Sequence, residues 1–335
     1  MISTVSVVVP CYRQAHYLPE CVASLQAQSH TDWEAIIVND GSPDNTSAIA
    51  AGLAAADKRV RYVEQPNGGL SAARNAGMAV ARGDAFQFLD ADDLLQPEKL
   101  RHQIAVLNTK PEVGVVYGGG RYFLDGVPDR LSFNLAPGGP EEDWIAARWS
   151  AWLSCPPGFV RHNLFPVCAP LVRRTVADKV GLFDHTLPAL EDWDYWWRCE
   201  QADTQFAYVP DEGTHALIRV HGASMTHESP RMKRAYMLLR QKHLNALPLG
   251  PLREHHLDEF LRGAVDVLRT GEPLVLKNLL AGVPAGAEHL QALLYFGLQW
   301  PWLGQWPLRA VCRSIPWRVR LWLAGKTGLR ALCSV

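Results

Sequence analysis

The stretch Phe88-Leu89-Asp90-Ala91-Asp92-Asp93 places three carboxylates at the end of a short apolar run. The run from Ala85 to Leu89 is brief and is bounded by Gly83-Asp84 and by the acids, which predicts a buried strand. Pro97 stands where a following helix would begin, so we expect the acids in the connection from strand to helix. In an open α/β sheet such connections lie at the carboxyl ends of the strands, where ligands bind.

The three carboxylates have two interpretations. Asp90, Asp92 and Asp93 would repel one another, and a hard divalent cation such as Mg²⁺ or Mn²⁺ would compensate their charge. An ion held by one or two carboxylates keeps coordination positions for the oxygens of a diphosphate. The alternative is an acidic turn that only meets solvent.

The composition is that of a globular protein. Of the 335 residues, 48% are hydrophobic and 20% are charged, and the length allows one large domain with an appendage or two domains. The formal net charge of −1 gives no electrostatic basis for binding nucleic acid, so no such partner is expected.

Cysteine usage and the first residues indicate the compartment. The seven cysteines are odd in number and form no C-x-x-C pair, which argues against a zinc site and a disulfide framework and favours a reducing cytoplasm. A strand pattern begins at Val5 without the basic and apolar regions of a signal peptide. We therefore do not expect secretion.

The first 120 residues alternate short β-branched runs with helical periods. This pattern predicts strands at 5–9, 34–38, 61–63, 85–89 and 113–117, and helices at 18–25, 45–56, 71–81 and 97–108. Such alternation is typical of βαβ units and predicts an α/β fold with a mainly parallel sheet flanked by helices. No dinucleotide-binding G-x-G-x-x-G follows the first strand, which disfavours a dehydrogenase-type Rossmann domain.

The rest of the chain is less regular. Residues 121–170 are rich in Gly, Pro and Trp, and we expect loops there with a helix near 141–153; long loops over a rigid sheet usually carry specificity. Later segments are predicted as a helix at 193–199, strands at 206–210 and 217–220, and helices near 231–246, 254–269 and 286–298.

Two further motifs follow predicted strands or precede helices. In the segment 39–44, Asp40 could accept hydrogen bonds from a nucleotide base or ribose, although the segment could also be only a turn. In the segment 67–77, a glycine pair precedes a helix that we expect Ser71 to cap, with Arg74 in its first turns. Free backbone N–H groups there favour an anionic group, and the alternative is an ordinary capped helix.

Candidate residues for the chemistry itself come later in the chain. Glu191 and Asp192 precede an aromatic helix, and a carboxylate near a helix N-terminus stays ionised. Asp192 is therefore a candidate general base that takes a proton from a hydroxyl, and it suits an N-cap equally well. His221 follows a predicted strand and is either a ligand or an ordinary core or surface histidine.

Taken in order, these segments resemble the inverting family-two glycosyltransferases of the GT-A fold. The resemblance covers residues 3 to 227 and rests on V-S-V-V-V-P-C-Y, I-I-V-N-D-G-S-P-D, N-G-G-L-S-A-A-R-N-A-G, F-L-D-A-D-D, L-E-D-W-D-Y-W-W-R and R-V-H-G-A-S-M-T. It implies a catalytic domain at 1–228, beyond which the helical pattern predicts a helical extension at 229–335, and transfer of a hexosyl group from a nucleoside-diphosphate sugar, by family frequency a UDP-sugar, to an acceptor hydroxyl. The implied acceptor is a glycan or lipid-linked glycan, in bacterial surface-polysaccharide biosynthesis.

The same resemblance implies roles for individual residues. Asp192 would be the catalytic base, and the metal, Mn²⁺ or Mg²⁺, would be held by Asp92 with Asp90 and His221 nearby. The nucleotide sugar would be bound by Pro10, Tyr12, Asp40, Arg74, Asp90, Ala91 and Asp92.

The carboxy-terminal residues 290–335 combine five tryptophans with arginines and a lysine and contain no acid. Tryptophan interleaved with arginine suits the headgroup region of an anionic membrane, so a peripheral contact at the inner face of the cytoplasmic membrane is one expectation. The alternatives are a homodimer interface and a helical cap on the catalytic domain.

The sequence disfavours three other classes of protein. A phosphatase of the haloacid-dehalogenase type needs its D-x-D after the first strand, which here ends Val9-Pro10-Cys11-Tyr12. A nucleotide-sugar pyrophosphorylase needs a glycine-rich basic loop at that place, which is missing. A catalytically inactive sugar-nucleotide-binding scaffold is disfavoured because Asp90, Asp92 and Asp192 are all present.

Overall fold

The computed structural model describes residues 1–133, 143–154, 158–222 and 229–244, and the single positions 247, 253, 256, 259 and 260. The chain forms two compact units, one of residues 1–186 and 191–227, the other of 187–190 and 228–335. The helix predicted at 286–298 and the membrane or dimer contact predicted at 290–335 lie outside the described residues, as does most of the helix predicted at 254–269.

The first unit alternates strands and helices over most of its length. Its strands are β1 (Val5–Cys11), β2 (Trp33–Asp40), β3 (Val60–Gln65), β4 (Ala85–Phe88), β5 (Leu94–Leu95), β6 (Val113–Gly118), β7 (Gly120–Leu124), β8 (Val127–Ser132), β9 (Pro170–Arg173), β10 (Gln205–Val209) and β11 (Ala216–Val220). Its helices are α1 (Leu18–Gln26), α2 (Thr46–Ala56), α3 (Leu70–Val80), α4 (Lys99–Thr109), α5 (Trp144–Ser154), α6 (Arg174–Val180) and α7 (Glu191–Gln201).

The larger sheet has the strand order β10-β6-β9-β4-β1-β2-β3, and β9 alone among these strands runs against its neighbours. Every residue of β1 and β4 is buried, because helices cover both faces of a parallel sheet. Val8 of β1 pairs with Ile36 of β2 and with Phe88 of β4, so the ends of these three strands lie at one edge. The predicted α/β fold with a mainly parallel sheet is confirmed.

A second sheet, of order β5-β11-β7-β8, differs from the sequence prediction of loops at 121–170. All but the last residue of β8 are exposed, so the strand lacks the apolar alternation by which strands are recognised. Asp125-Gly126 joins β7 to β8, and Gly126 has a φ of 78°, as a two-residue hairpin turn requires. This dipeptide was the available signal for the hairpin.

The helices follow the predicted positions within a few residues. The helix predicted near 141–153 is α5, and the side chain of Asp143 caps it by accepting from the backbone N–H groups of Ile145 and Ala146 at 3.0 and 3.1 Å.

The second unit contains α8 (Ser229–Leu244), close to the helix predicted at 231–246. Tyr236 of this helix donates to Glu259 at 2.7 Å, and Nε2 of His256 lies 2.6 Å from the carbonyl of Arg240. In the residues that the structure describes, we find no helix with both the length and the apolar character needed to cross a membrane.

Candidate active site

The loops after β1 and β2 are held to each other at the carboxyl edge of the sheet. The backbone N–H of Arg13 donates to the hydroxyl of Ser42 at 2.8 Å, and that of Ala15 donates to Asp44 at 3.1 Å. Pro10 is buried within β1, whereas the ring of Tyr12, the next residue but one, is 40% exposed. Pro10 and Tyr12, which are predicted to bind the nucleotide, thus lie at this edge. Pro10 is buried in the sheet, and the ring of Tyr12 faces solvent.

Asp40, at the end of β2, is almost completely buried and binds the glycine pair that precedes α3. Its two carboxylate oxygens accept from the backbone N–H groups of Gly68 and Gly69 at 2.8 and 2.9 Å, and Gln65 donates to it at 2.7 Å. The backbone N–H groups of Gly68 and Gly69, which are predicted from the sequence to favour an external anion, therefore bind Asp40. Contact between Asp40 and a nucleotide base stays a prediction.

The prediction that Ser71 caps α3 is wrong. Gly69 occupies the N-cap position, and no side chain caps the helix. Ser71 is the second helical residue, and its hydroxyl donates to the carbonyl of Asp184 at 3.0 Å. Its hydroxyl therefore binds the segment before α7 instead of the first turn of α3.

The three acids after β4 have separate surroundings. The Asp90 side chain is 30% exposed at the edge, and Ala91 is fully buried beside it. Asp92 lies 2.9 Å from Nε2 of His221, the residue after β11. Burial and the neighbouring Asp90 raise the pKa of Asp92, and burial and Asp92 raise that of Asp93 further.

Arg219 of β11 fixes the backbone that carries Asp92. Its Nε donates to the carbonyl of Asp92 at 2.8 Å, and its backbone N–H donates to Asp93 at 3.0 Å. The two remaining guanidinium nitrogens donate to Asp125 at 2.9 Å and to Glu20 at 2.6 Å. One buried arginine thus joins the second sheet, α1 and the acidic loop.

Arg74 of α3 joins the acidic loop to α7. The guanidinium is 1% exposed, and it donates to Asp90 at 2.6 Å and, through its other terminal nitrogen, to Glu191. These carboxylates hold Arg74 in place of the phosphates that the resemblance implies, so a contact between Arg74 and phosphate stays a prediction.

Asp192 is the second residue of α7, one position inside the helix and not at its N-cap. One carboxylate oxygen accepts from the backbone N–H of Trp193 at 2.8 Å, and the other accepts from the amide of Asn163 at 2.9 Å. Burial and the adjacent Glu191 raise the pKa of Asp192 to about 6, which Arg74 and Asn163 partly oppose. The expectation that helix position alone would keep Asp192 ionised is therefore incomplete, since burial acts more strongly.

Asp92 and His221 are the residues of this site that could hold a divalent cation. In the described residues no group of three or more acids, histidines or cysteines is arranged to hold a metal ion. Asp92 and His221 do form an adjacent oxygen and nitrogen donor pair, and burial together with Asp90 raises the pKa of Asp92, an effect that a bound cation would oppose. This donor set fits an ion that takes its other ligands from water and a diphosphate.

Three residues of this site were not identified from the sequence. Glu191 was seen only as an acid beside Asp192, Arg219 only as the start of a motif, and Asn163 not at all. Arg219 could have been found from its place two residues before His221, but Asn163 lies in an irregular segment without any periodic signal.

Comparison with known proteins gives consistent findings. Residues 6–162 match the family described as Glycosyl transferase family 2. An uncharacterised glycosyltransferase of Rickettsia typhi is 31% identical over 235 residues, which cover 70% of this chain and 70% of that protein. Three further relatives, from Rickettsia bellii, Rickettsia felis and Rickettsia conorii, are longer, and the matched part of this chain spans 27% to 31% of their length.

Two solved structures share the fold. S. aureus TarS 1-349, in complex with UDP-GlcNAc, has a TM-score of 0.61 at 18% identity, covering 89% of this chain and 88% of that one. The mannosyltransferase PcManGT from Pyrobaculum calidifontis, in complex with GDP-Man and Mn²⁺, has a TM-score of 0.55 at 17% identity, covering 99% of this chain and 85% of that one.

Proposed function

Because the chain belongs to glycosyl transferase family 2 and is a glycosyltransferase of GT-A fold, we propose that it transfers a sugar from a nucleoside-diphosphate sugar to an acceptor hydroxyl with inversion. The observation that carries the proposal is the Arg74 bridge. Asp90, next to the Asp92–His221 pair, and Glu191, next to Asp192, are bound to the same buried guanidinium. The donor half and the acceptor half of the site are thereby held together.

The chemistry is one displacement. The acceptor oxygen forms a bond to the anomeric carbon while the bond from that carbon to the diphosphate oxygen breaks, and attack from the opposite face inverts the configuration. Asp192 takes the proton that leaves the acceptor hydroxyl, and a base with a pKa near 6 is ionised at neutral pH yet still basic enough to accept it. Asn163 and the backbone of Trp193 keep its carboxylate in one orientation.

The diphosphate is assigned to the acidic loop. Asp92 and His221 would hold Mn²⁺ or Mg²⁺, which when bound would neutralise negative charge on the leaving diphosphate. Asp90 is kept at the edge by Arg74, and Asp92 by Arg219 through its carbonyl. The Mn²⁺ in the mannosyltransferase complex supports this assignment by analogy of fold.

The acceptor and the cellular setting belong to the same proposal. We infer a glycan or lipid-linked glycan acceptor, action in the cytoplasm at the membrane surface, and UDP or GDP as the nucleotide of the donor. The UDP-GlcNAc and GDP-Man complexes of the two structural relatives support the class of donor.

The experiment is a thermal-shift panel of UDP, GDP, dTDP and CMP, each with and without Mn²⁺, followed by measurement of UDP released from UDP-GlcNAc and of GDP released from GDP-mannose. A ligand that binds only the folded state raises the melting temperature with ln(1 + [L]/Kd). We expect one nucleotide to stabilise the protein in a metal-dependent way, and Asp92→Asn to abolish that shift.

Asp92→Asn is a suitable variant because neutralising a carboxylate that its neighbours repel does not weaken the fold. Asp129→Asn is the matched control, since Asp129 is an exposed carboxylate of β8. A wild-type protein that binds a nucleotide but releases no diphosphate from any nucleotide sugar would favour the inactive scaffold. Formation of nucleotide sugar from nucleoside triphosphate and sugar phosphate would favour the pyrophosphorylase.

A further inference from the structure

Residues 158–169, which precede β9, pack along α7 through polar contacts at both ends of the helix. The indole N–H of Trp193 donates to the carbonyl of Phe159 at 2.7 Å. The backbone N–H groups of Gly158 and Phe159 donate to Glu200, two turns further along, at 2.9 and 3.3 Å. Phe159 and Phe165 are fully buried, so this segment is a fixed wall beside the helix that carries Asp192.

Asn163 projects from this wall to the carboxylate of Asp192. Its side-chain amide nitrogen donates to one carboxylate oxygen at 2.9 Å, and its backbone carbonyl accepts from a guanidinium nitrogen of Arg148 in α5. An amide oxygen facing a carboxylate would be repelled, so the orientation of the amide follows from its partner.

That orientation leaves a buried acceptor unsatisfied. Among the described residues, Oδ1 of Asn163 is shielded from solvent and has no hydrogen-bond partner. A buried polar atom without a partner is destabilising, and such atoms in native structures call for an explanation. The contact with Asp192 explains this unsatisfied oxygen, because it holds the Asn163 amide with its nitrogen towards the carboxylate.

We propose that Asn163, with its backbone held by Arg148, is the positioning residue of the catalytic base, fixing the Asp192 carboxylate for proton transfer. The proposal rests on the proposed function for its catalytic meaning only. The hydrogen bond itself favours the ionised form of Asp192, because a donor to a carboxylate stabilises its negative charge.

The charged groups that act on Asp192 come from two elements of the described chain. Glu191, its neighbour on α7, disfavours ionisation, and Arg74 on α3 favours it. Both remain in place when residue 163 is changed, so a shift in the titration of Asp192 in such a variant reports the Asn163 contact.

The experiment follows the carboxyl carbon of Asp192 by ¹³C NMR titration in the full-length protein without ligand, for the wild type, Asn163→Ala and Asn163→Asp. We expect the wild-type carboxyl to titrate near pH 6 and that of Asn163→Ala about one pH unit higher. In Asn163→Asp, which keeps the size of the side chain, the paired carboxyls should titrate in two steps with the upper step higher still. His162→Ala, an exposed neighbour in the same segment, is the control and should match the wild type.

Turnover gives the second readout, and the probe reactions are the release of UDP from UDP-GlcNAc and of GDP from GDP-mannose. For Asn163→Ala we expect an unchanged KM for the donor, a kcat lowered roughly fivefold at pH 6, and recovery towards the wild-type kcat at pH 8.5. A structural defect would lower kcat at every pH and the melting temperature with it. Unaltered titration of Asp192 in both variants would overturn the inference whether or not the enzyme is active. A wild-type protein that turns over no nucleotide sugar would refute the proposed function and leave the NMR result to decide the role of Asn163.

Discussion

At the scale of single residues, the site is a set of carboxylates whose ionisation is adjusted by what surrounds each one. Asp44 accepts from the hydroxyls of Ser42 and Thr46, and although burial opposes it, these bonds lower the pKa of Asp44 to about 2. Asp192 is half-buried beside another acid, and desolvation and that neighbour raise its pKa to about 6. One therefore stays charged at any ordinary pH, whereas the other can exchange a proton near neutrality.

Asp192→Asn should lower kcat by about two to four orders of magnitude, because the amide cannot take the proton from the acceptor hydroxyl. The KM for the nucleotide sugar should change little, since the donor is assigned to the acidic loop and not to α7. The measurement is the steady-state release of the nucleoside diphosphate, together with the shift in the melting temperature of the protein that the donor nucleotide causes. A variant that no longer binds the nucleotide would indicate a structural role for Asp192.

The wild-type pH profile follows from the same residue. The base acts in its ionised form, so kcat/KM should rise with pH through about 6 and level off above it. A profile with its acidic limb near pH 4 would show that burial and Glu191 do not perturb Asp192 in solution. Asp129→Asn serves as control here too and should keep the wild-type profile.

At the scale of elements, α3 is pressed against the sheet so closely that one of its positions admits no side chain. A β-carbon at Gly77 would lie 2.4 Å from Cγ1 of Val8 in β1 and 3.3 Å from a methyl of Val38 in β2. The close approach brings Arg74, one turn earlier on the same helix, to the acidic loop and α7. The packing of this helix thus decides whether the two halves of the site meet.

Gly77→Ala should destabilise the protein by about 1–3 kcal/mol, because the added methyl displaces the helix from the sheet. Gly52→Ala is the matched control in α2, where a β-carbon meets nothing within 4 Å and helix propensity should give a gain of up to about 1 kcal/mol. Urea unfolding of both variants measures the difference in free energy. Equal effects of the two substitutions would contradict the close packing of α3. Gly77→Ala should also lose more activity than its loss of stability explains, since Arg74 moves with the helix.

At the scale of the whole molecule, a buried lysine beneath the large sheet affects stability. Lys99 of α4 is fully buried and donates to the side-chain oxygens of Gln87 in β4 and Gln103, at 2.6 and 2.9 Å. Burial lowers the pKa of Lys99 to about 7 from its ordinary value near 10.5. Between these two values the unfolded chain binds a proton that the folded protein does not.

The stability contributed at Lys99 should therefore rise with pH between about 7 and 10.5 and be constant below 7, where the lysine is charged in both states. Lys99→Met removes this dependence, so the free energy of unfolding of the wild type minus that of the variant should increase by a few kcal/mol from pH 7 to 9.5. Lys110→Met, at an exposed lysine, is the control and should give a flat difference. A flat difference for Lys99→Met would show that the lysine is charged in the folded state at neutral pH.

Much of the fold could be read from local pattern. The runs at β1, β2, β4 and β6 are short, apolar and separated by helical periods, and those periodicities reflect burial that each segment would show in any parallel sheet. The acids after β4 and the acids before the aromatic helix were recognised as site candidates because residue type and position at element ends are properties of the sequence.

Long-range contacts could not be read in this way. The second sheet was missed because β8 is an exposed edge strand, and the cap at Ser71 was misplaced because Asp184, far along the chain, takes its hydroxyl. Arg74 was assigned to phosphate, yet the fold surrounds it with Asp90 and Glu191, which lie 16 and 117 residues away along the chain.

The sequence by itself determined the class of fold, most strands and helices of the large sheet and many of the candidate site residues, since these follow from side-chain chemistry and short-range periodicity. Only the tertiary structure decided which charges are paired, which are buried and therefore which carboxyl has a pKa close to neutrality. Ionisation depends on desolvation and on the distance to other charges, and both are set by segments that meet only when the chain folds. Asn163 is the clearest case, because nothing in its own segment indicates that it lies beside Asp192.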